Sequence, residues 1–275
     1  MGLAAGWPFL PRLAAEELKV PAAGQPAGAL PLEAMVGEQL DFNIAFWLFS
    51  RAGYAQLSLR PLAGPPENLY EASMSGQTAG VIGFFTRYRK DTYRSAMEFT
   101  GERLRPLEFQ EEVIIGNEVR RRRTTLFDYA AGVILRRKVL RGGGVEAEEL
   151  PMEPGVVYDD YLSGLYNLRS GAYGPLRPGR SFVLNVPRKK GGTIRIELAG
   201  PAETLKLLER EKSRQDKAFF CRIFMHKDTL GSGTGRLEGW WSAQAVPLSG
   251  VVEDVALFGD VKGTLVNREA PSGQV

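Results

Sequence analysis

The chain is almost without the two side chains on which most familiar metal and catalytic sites depend. Its 275 residues hold one cysteine, Cys221, and one histidine, His226. A single thiol excludes an internal disulfide framework and any zinc site built on clustered thiolates. A single imidazole excludes His-Glu-x-x-His zinc chemistry and two-histidine facial sites, and leaves one candidate base for a nucleophilic triad. Long apolar runs are missing too: none reaches the roughly 18 residues of a spanning helix. Nor does either charge dominate. Lys+Arg 35 against Asp+Glu 32 gives a net charge of +3, far below the excess expected of a protein whose main task is to neutralise phosphates. Nucleic acid is not expected as a partner, and no cofactor or metal is expected.

What is present is a chain that is 44% hydrophobic with 32 glycines, long enough to bury a full core as one large β domain or two smaller ones. The opening MGLAAGWPFLPRLAAEE is apolar and reaches small residues at Leu13-Ala14-Ala15, but it has no basic start and contains Pro8 and Pro11. It reads either as the remnant of a secretory signal or as a plain leader. VPAAGQPAGALP, 20 to 31, reads as a linker. From Gly37 the pattern changes. In LDFNIAFWLF, Leu40, Phe42, Ile44, Phe46 and Leu48 fall on one face of a strand, with Trp47 and Phe49 making the other face apolar near its end. The same period of two returns in AQLSL (55 to 59) and TIRIEL (193 to 198). Turn sequences punctuate the runs: AGPPEN at 63 to 68, TGER at 100 to 103, IGNE at 115 to 118, RGGG at 141 to 144, KKGG at 189 to 192, GSGTG at 231 to 235 and FGD at 258 to 260. This predicts a mostly antiparallel, all-β protein; long helices between strands, the mark of a doubly wound fold, are missing.

Two segments have helical spacing. DDYLSGLYNLRSG, 159 to 171, places Leu162, Leu165, Tyr166 and Leu168 on one side, with Asp159 or Asp160 as N-cap and Gly171 as stop. Gly164 costs that helix about 1 kcal/mol relative to alanine, so it needs tertiary packing to persist. PAETLKLLEREKSR, 201 to 214, has strong propensity and a proline suited to a first turn, but lies between strand patterns where sheet context can override propensity.

GEQLDFNIAFW (37 to 47), YRKDTYRSAME (88 to 98), TTLFDYAAGVI (124 to 134), DDYLSGLYNLRSG, and the closing GWWSAQAVPLSG with GDVKGTL occur in the order found in a family of bacterial exported proteins known as domain of unknown function 3108. The resemblance spans about 35 to 266. It implies a periplasmic protein of the cell envelope with an open barrel or β-spiral and one short helix near 159–170. It also implies a strand at 204 to 211, against the helical propensity there. The family supplies no catalytic residues to carry over. One departure is that the family places an acidic residue soon after the serine of the tryptophan-serine segment, whereas Ala243 and Gln244 follow Ser242 here.

Four consecutive arginines, Arg120 to Arg123, are the most conspicuous candidate site. In a strand Arg120 and Arg122 share one face and Arg121 and Arg123 the other, so not all four can reach water from a packed sheet. Either the strand is an edge, its guanidiniums paired with Glu108, Glu111 and Glu112 on the preceding strand, or one pair faces a polar cavity. In AFFCRIFMH, Phe219, Cys221, Ile223 and Met225 oppose Phe220, Arg222, Phe224 and His226; one face is core, and the other is either covered by a further segment or turned to a hydrophobic ligand. Trp240 and Trp241 split between faces in the same way, one core and one available to a partner or membrane surface. GSGTGR fails the phosphate-loop spacing and reads as a hairpin loop. His226, beside Lys227 and Asp228 at a strand end, reads as a structural group, and Asp159 and Asp160 as helix caps more readily than as an acid–base pair.

The resulting expectation is a leader over 1–33, a single β domain over 34–267 and a short tail over 268–275. The role expected is non-enzymatic: an exported envelope protein that holds a lipid or other amphipathic ligand in its concavity, with Arg121, Arg123, Phe220, Phe224, Trp240 and Trp241 as contact residues and peripheral membrane contact allowed. The alternatives are an interaction scaffold of the envelope and a glycan or lipid hydrolase.

Overall fold

The computed structural model describes residues 29–269, apart from 141, 189–191, 212, 214 and 257. The alternating segments form strands β1 Gln39–Phe46, β2 Phe49–Pro61, β3 Leu69–Thr78, β4 Lys90–Phe99, β5 Leu104–Ile115, β6 Glu118–Asp128, β7 Val133–Val139 and β8 Val145–Pro151. After a helix, α2, they continue as β9 Ser181–Asn185, β10 Thr193–Leu198, β11 Phe219–Phe224, β12 Arg236–Trp241, β13 Pro247–Val255 and β14 Gly259–Glu269. Helices are α1 Gly80–Phe85, α2 Tyr161–Ser170, α3 Pro201–Glu209 and the single turn α4 Lys227–Leu230.

All fourteen strands join one antiparallel sheet in the order β8-β7-β6-β5-β4-β3-β2-β1-β14-β13-β12-β11-β10-β9. The chain meanders outward from β1 to β8, crosses through α2 to the opposite edge, and meanders back until β14 pairs with β1. Its two edges, β8 and β9, remain unpaired with each other, so the sheet is an open curl and not a closed barrel. The turn sequences at 63–68, 100–103 and 115–118 lie at strand ends, as their glycines and prolines predict.

α2 fills the interior of the curl. On one side Leu162 and Tyr166 pack with Leu40, Leu59, Met97 and Phe109; on the other Leu168 packs with Phe182, Leu184, Ile196 and Trp241. Tyr161 and Leu165 touch both clusters. Its ends are specified locally. Asp160 accepts from the Leu162 and Ser163 amides, Ser163 Oγ accepts from the Asp160 amide, and Gly171 stops the helix at φ 77°. A Cβ at Gly164 would lie 2.3 Å from Leu184 Cδ2; the glycine that weakens the isolated helix is what lets it close on β9.

A helix buried this completely must satisfy its polar side chains internally. Asn167 behaves as a missing strand partner for β5: its Oδ1 accepts from the Leu104 amide and its Nδ2 donates to the Leu104 carbonyl, both at 2.8 Å. Arg169, with no solvent exposure, meets Glu38 Oε1 at 2.7 Å and donates through Nε to the Ala245 carbonyl at 3.0 Å. Arg268 of β14 holds the other Glu38 oxygen at 3.0 Å. One carboxylate thus ties together the start of the sheet, the central helix and the last strand.

Four expectations are corrected. Residues 201–209 are helix, not strand: β10 pairs directly with β11, leaving no ladder position between them, and Leu207 and Leu208 pack on Phe220 and Trp240 on the outer face. β6 is not an edge strand, since β5 and β7 flank it. Its simple alternation also fails at Arg120, which is skipped where Val113 pairs with Arg121 and Ile114 with Val119. The first apolar run is not one strand; it turns at Trp47 and Leu48, and Phe49 starts β2 opposite Phe46.

The ends of the domain differ in detail from the expected limits. Leu30 and Leu32 already pack in the core, and β14 continues through Glu269. The remainder of the expected leader and tail, 1–28 and 270–275, lies outside the described residues.

Replacing Asn167 by alanine strands both Leu104 backbone groups in the interior. At about 1–3 kcal/mol for each buried group left unpaired, the variant is expected to lose on the order of 2–6 kcal/mol of unfolding free energy, measured by urea denaturation. A loss below about 1 kcal/mol would refute the strand-partner role.

Candidate functional site

α2 covers only part of the concave face. Ten residues at about 1.5 Å each span roughly 15 Å, whereas the twelve residues of β5 reach about 40 Å. Asp160 meets Ser95 in the middle of β4, and Asn167 meets Leu104 at the start of β5. The helix therefore runs toward the end of the sheet that carries the β4–β5 turn, leaving the other end uncovered.

The inward-facing residues follow that division. Where the helix lies they are apolar: Met97, Phe109, Phe127, Ile134. Beyond it β5 turns in Glu111, β6 turns in Arg121 and Arg123, and β7 turns in Arg136. These side chains line a cleft of about 310 Å³, whose opposite wall is Val186, Pro187 and Arg188 from the β9–β10 loop with Asp228 and Thr229 of α4. Tyr93, Phe109, Phe127 and Tyr161 supply its aromatic surface, and Asp160 is at its floor.

Four arginines face three carboxylates here, and the pairing is incomplete. Arg136 is held by Glu148 at 3.1 Å, and Arg123 approaches Glu111 only to 3.6 Å. Arg188 donates to Thr229 Oγ1 at 2.6 Å. Neither Arg188 nor Arg121 has a carboxylate partner among the described residues, and Arg121 Nε is buried without a hydrogen-bond acceptor. On the outer face of the same strand, by contrast, Arg122 is bound by Glu112 through Nε at 2.8 Å. Burial pushes the Tyr93 phenol up to about 12 and raises Tyr161 as well, so both rings remain neutral and can donate.

Asp160 is the buried acid of the site. Burial pushes its carboxyl up to about 6, against the hydrogen bonds from Ser95 Oγ and the Ser163 and Leu162 amides that favour its charge. Its oxygens are already engaged by those donors, so its geometry is that of a helix cap. Ser95 has no solvent exposure. His226 is at the rim, where Nδ1 accepts from the Asp228 amide at 3.3 Å and caps α4. Burial pushes the Cys221 thiol up to about 12, which removes it as a nucleophile. Among the described residues no group of three or more His, Cys, Asp or Glu side chains is placed to hold a metal ion.

The six residues singled out from sequence do not form one site. Arg121 and Arg123 line the cleft. Phe220 and Trp240 stack edge to face at 5.1 Å beneath α3 on the outer side, with Trp240 Nε1 donating to Glu211 at 2.9 Å. Trp241 belongs to the inner core against α2, and Phe224 lies half-buried under the Arg195 guanidinium at 4.6 Å. Sequence reading missed Arg136, Arg188, Tyr93 and Tyr161. Arg136 could have been found, since it shares a face with Ile134 in VILRRKV; Arg188 directly precedes the turn sequence KKGG, where no pattern marked it.

The sequence matches the family described as Protein of unknown function (DUF3108) over residues 41–264. No curated protein matches the chain. The crystal structure of a beta-barrel-like protein of domain of unknown function DUF1849 from Brucella abortus is similar, with a TM-score of 0.48 and 10% identity over 86% of this chain and 98% of that one.

The raised Asp160 carboxyl has a thermodynamic consequence. The unfolded chain ionises this group near 3.8 and the folded protein near 6, so its contribution to stability is intact below the lower value and is lost as pH rises through the upper one. The loss is on the order of 3 kcal/mol for a shift of about two units. Asp160→Asn keeps a capping side chain and removes the titration. The difference in unfolding free energy between wild type and variant is expected to move by that amount between pH 4 and 7, in the direction that favours the variant at higher pH. Carboxyls held low by hydrogen bonds, such as Asp41 and Glu98, act oppositely but cancel in the comparison. A pH-independent difference would contradict the assignment.

Proposed function

The chain belongs to the family of proteins of unknown function DUF3108, and from that premise we propose that it is a non-enzymatic binding protein whose cleft holds the anionic head of an amphipathic molecule. The observation that carries this reading is the pair Arg121 and Arg188, which face the cleft without a carboxylate partner among the described residues. Partly buried guanidinium groups without counter-charge cost free energy. A phosphate or carboxylate would supply that charge in the bidentate geometry arginine favours. The Tyr93 and Tyr161 rings, with the nearly buried edges of Phe109 and Phe127 beside Asp160, suit a short apolar stem. A cleft of about 310 Å³ is at the lower end of the roughly 300–1,000 Å³ typical of ligand pockets. It accommodates a head group and the first part of a chain, not a whole two-chain lipid.

A hydrolase would have to use Asp160 or His226. The first is fully engaged as a cap and its neighbour Ser95 is sealed from solvent; the second spends Nδ1 on capping α4. Binding is therefore the reading we adopt. We assign it to the periplasm, the compartment that the family resemblance implies, and the native protein is expected in the osmotic-shock fraction of its cells; retention in the spheroplast lysate would count against that compartment.

Dodecyl phosphate below its micellar concentration, titrated by calorimetry, tests the cleft. Wild type is expected to bind it more tightly than inorganic phosphate. Arg121→Ala and Arg188→Ala should each weaken binding by about tenfold or more, the usual cost of losing a charged hydrogen bond, while Arg122→Ala on the outer face leaves it unchanged. Absence of binding by wild type, or equal binding by the Arg121/Arg188 double variant, would refute the proposal.

A further inference from the structure

At the end of the sheet where the cleft opens, the surface is unusually apolar. Trp47 and Leu48, at the β1–β2 turn, are 85% and 82% exposed; Phe84 and Phe85, on α1, are 70% and 76% exposed. Val81 and Tyr88 flank them, also more than half exposed. The two groups are neighbours. β3 stops at Thr78, opposite Gly53; the Ala79 amide then bonds the Ala52 carbonyl at 2.8 Å, and α1 lies beside the free end of β2. From there the hairpin projects four residues further, roughly 13 Å at about 3.3 Å per residue, to Leu48 and Trp47. Isolated apolar side chains on a surface are ordinary; a cluster of four large ones on adjacent protrusions is not.

Packing does not account for the cluster. Trp47 adopts φ 48°, and Arg87 and Tyr88 of the turn after α1 adopt 54° and 50°, a left-handed conformation unfavourable for bulky L-residues. The chain accepts strain at the tip and obtains no burial of the Trp47 ring in return.

Charge identifies the occupant. From 42 to 66 and from 72 to 90 the sequence contains no Asp or Glu. Arg51, Arg87 and Lys90 are exposed around the tip, and none has an ion-pair partner among the described residues. Arg89 is neutralised by Asp91 at 3.1 Å. In the adjacent β13–β14 turn, Asp260 accepts from the Asp254 amide at 3.1 Å, and Phe258 packs on Phe46. Aromatic and aliphatic side chains on a protrusion, bordered on the α1 side by the unpaired cations Arg51, Arg87 and Lys90 and on the β14 side by the exposed carboxylates of Asp254 and Asp260, match the boundary of an anionic bilayer when the cationic side faces it, where rings enter the head-group layer and cations meet phosphates. Among the described residues no helix is long and apolar enough to cross a membrane; the protrusion is built to rest on one.

We propose that Trp47, Leu48, Phe84 and Phe85, with Arg51 and Lys90, dock this end of the protein on the surface of an anionic lipid bilayer. The site is separate from the cleft and does not rest on what the cleft binds. Because β5–β6, the β9–β10 loop and α4 lie at the same end, the docked protein turns the mouth of the cleft toward the lipid.

Co-sedimentation with large unilamellar vesicles tests the docking. Wild type is expected to bind phosphatidylcholine vesicles containing phosphatidylglycerol at least tenfold more tightly than phosphatidylcholine alone, with a blue shift of tryptophan emission. Trp47→Ser with Leu48→Ser, and Phe84→Ser with Phe85→Ser, should each weaken binding by tenfold or more; circular dichroism should match wild type, since none of the four supports the core. Arg51→Glu with Lys90→Glu should abolish the preference for anionic vesicles. The Arg121/Arg188 double alanine variant should bind vesicles as wild type does, which separates this proposal from the cleft. Failure of wild type to bind the anionic vesicles, or unchanged binding by the quadruple serine variant, overturns the proposal. A dimer that the serine substitutions dissolve, without vesicle binding, would overturn it in favour of a second copy of the chain.

Discussion

A helix buried in the interior carries polar side chains at low cost only where the surrounding sheet supplies partners for them, and much of the fold is organised around that requirement. Ser163, Asn167 and Arg169 of α2 have no solvent exposure. Asn167 pairs with the backbone of β5, and Arg169 is bound between Glu38 and the Ala245 carbonyl. These contacts are directional, so they fix the rotation and depth of the helix as apolar packing alone would not. They also join segments far apart in sequence: Glu38 precedes the first strand, and Arg268, its second partner, is near the end of the last. A fourteen-stranded sheet whose end strands do not pair with each other needs a specified curvature, and the helix that both halves must fit supplies it.

The cleft follows from the same arrangement by default. The helix spans less than half the length of the longer strands, so the concave face past Asp160 has nothing apolar to pack on. There the inward positions of β5, β6 and β7 change from Phe109, Phe127 and Ile134 to Glu111, Arg123 and Arg136. Asp160 marks the boundary. It closes the helix with its own carboxylate, and its burial on the helix side raises its pKa to about 6 while it borders the cationic space on the other.

Much of the architecture was legible in the residue pattern because it depends on local rules. Alternation located the strands, glycine and proline located turns such as 63–68 and 115–118, and Asp160 with Gly171 bounded α2. What was not legible depends on pairing between distant segments. Whether 201–209 is strand or helix turns on whether a ladder position is vacant, and the direct pairing of β10 with β11 leaves none. Propensity was the better guide there than resemblance. The arginine run read first as an edge strand paired to the glutamates of the preceding strand and second as a wall of a polar cavity; Arg122 and Arg123 do meet Glu112 and Glu111, but β6 is flanked on both sides and Arg121 and Arg123 line the cleft. Phe220 and Trp240 invited a ligand reading because two-faced strands are ambiguous until the covering element is known; here it is α3. Trp47 read as part of a strand because a turn lacking glycine, proline and asparagine gives no signal.

The two ends of the sheet are consequently unequal. At one end Met35 and Ala245 are fully buried and Val246 nearly so, packed around the Glu38–Arg169 pair, which seals the interior. At the other, the strands outrun the helix, unpaired guanidinium groups face an open cleft, and large apolar side chains project into solvent. An exposed cluster of large apolar side chains gains nothing for the fold, because hydrophobic stabilisation comes only from taking such surface out of water. Concentrating cations and aromatics at the unsealed end forgoes that stabilisation, and it does so at the end where a molecule could enter without disturbing the network that holds the sheet in shape. The rigid half of the protein is thus the support, and the open half is where its contacts with other molecules are to be sought.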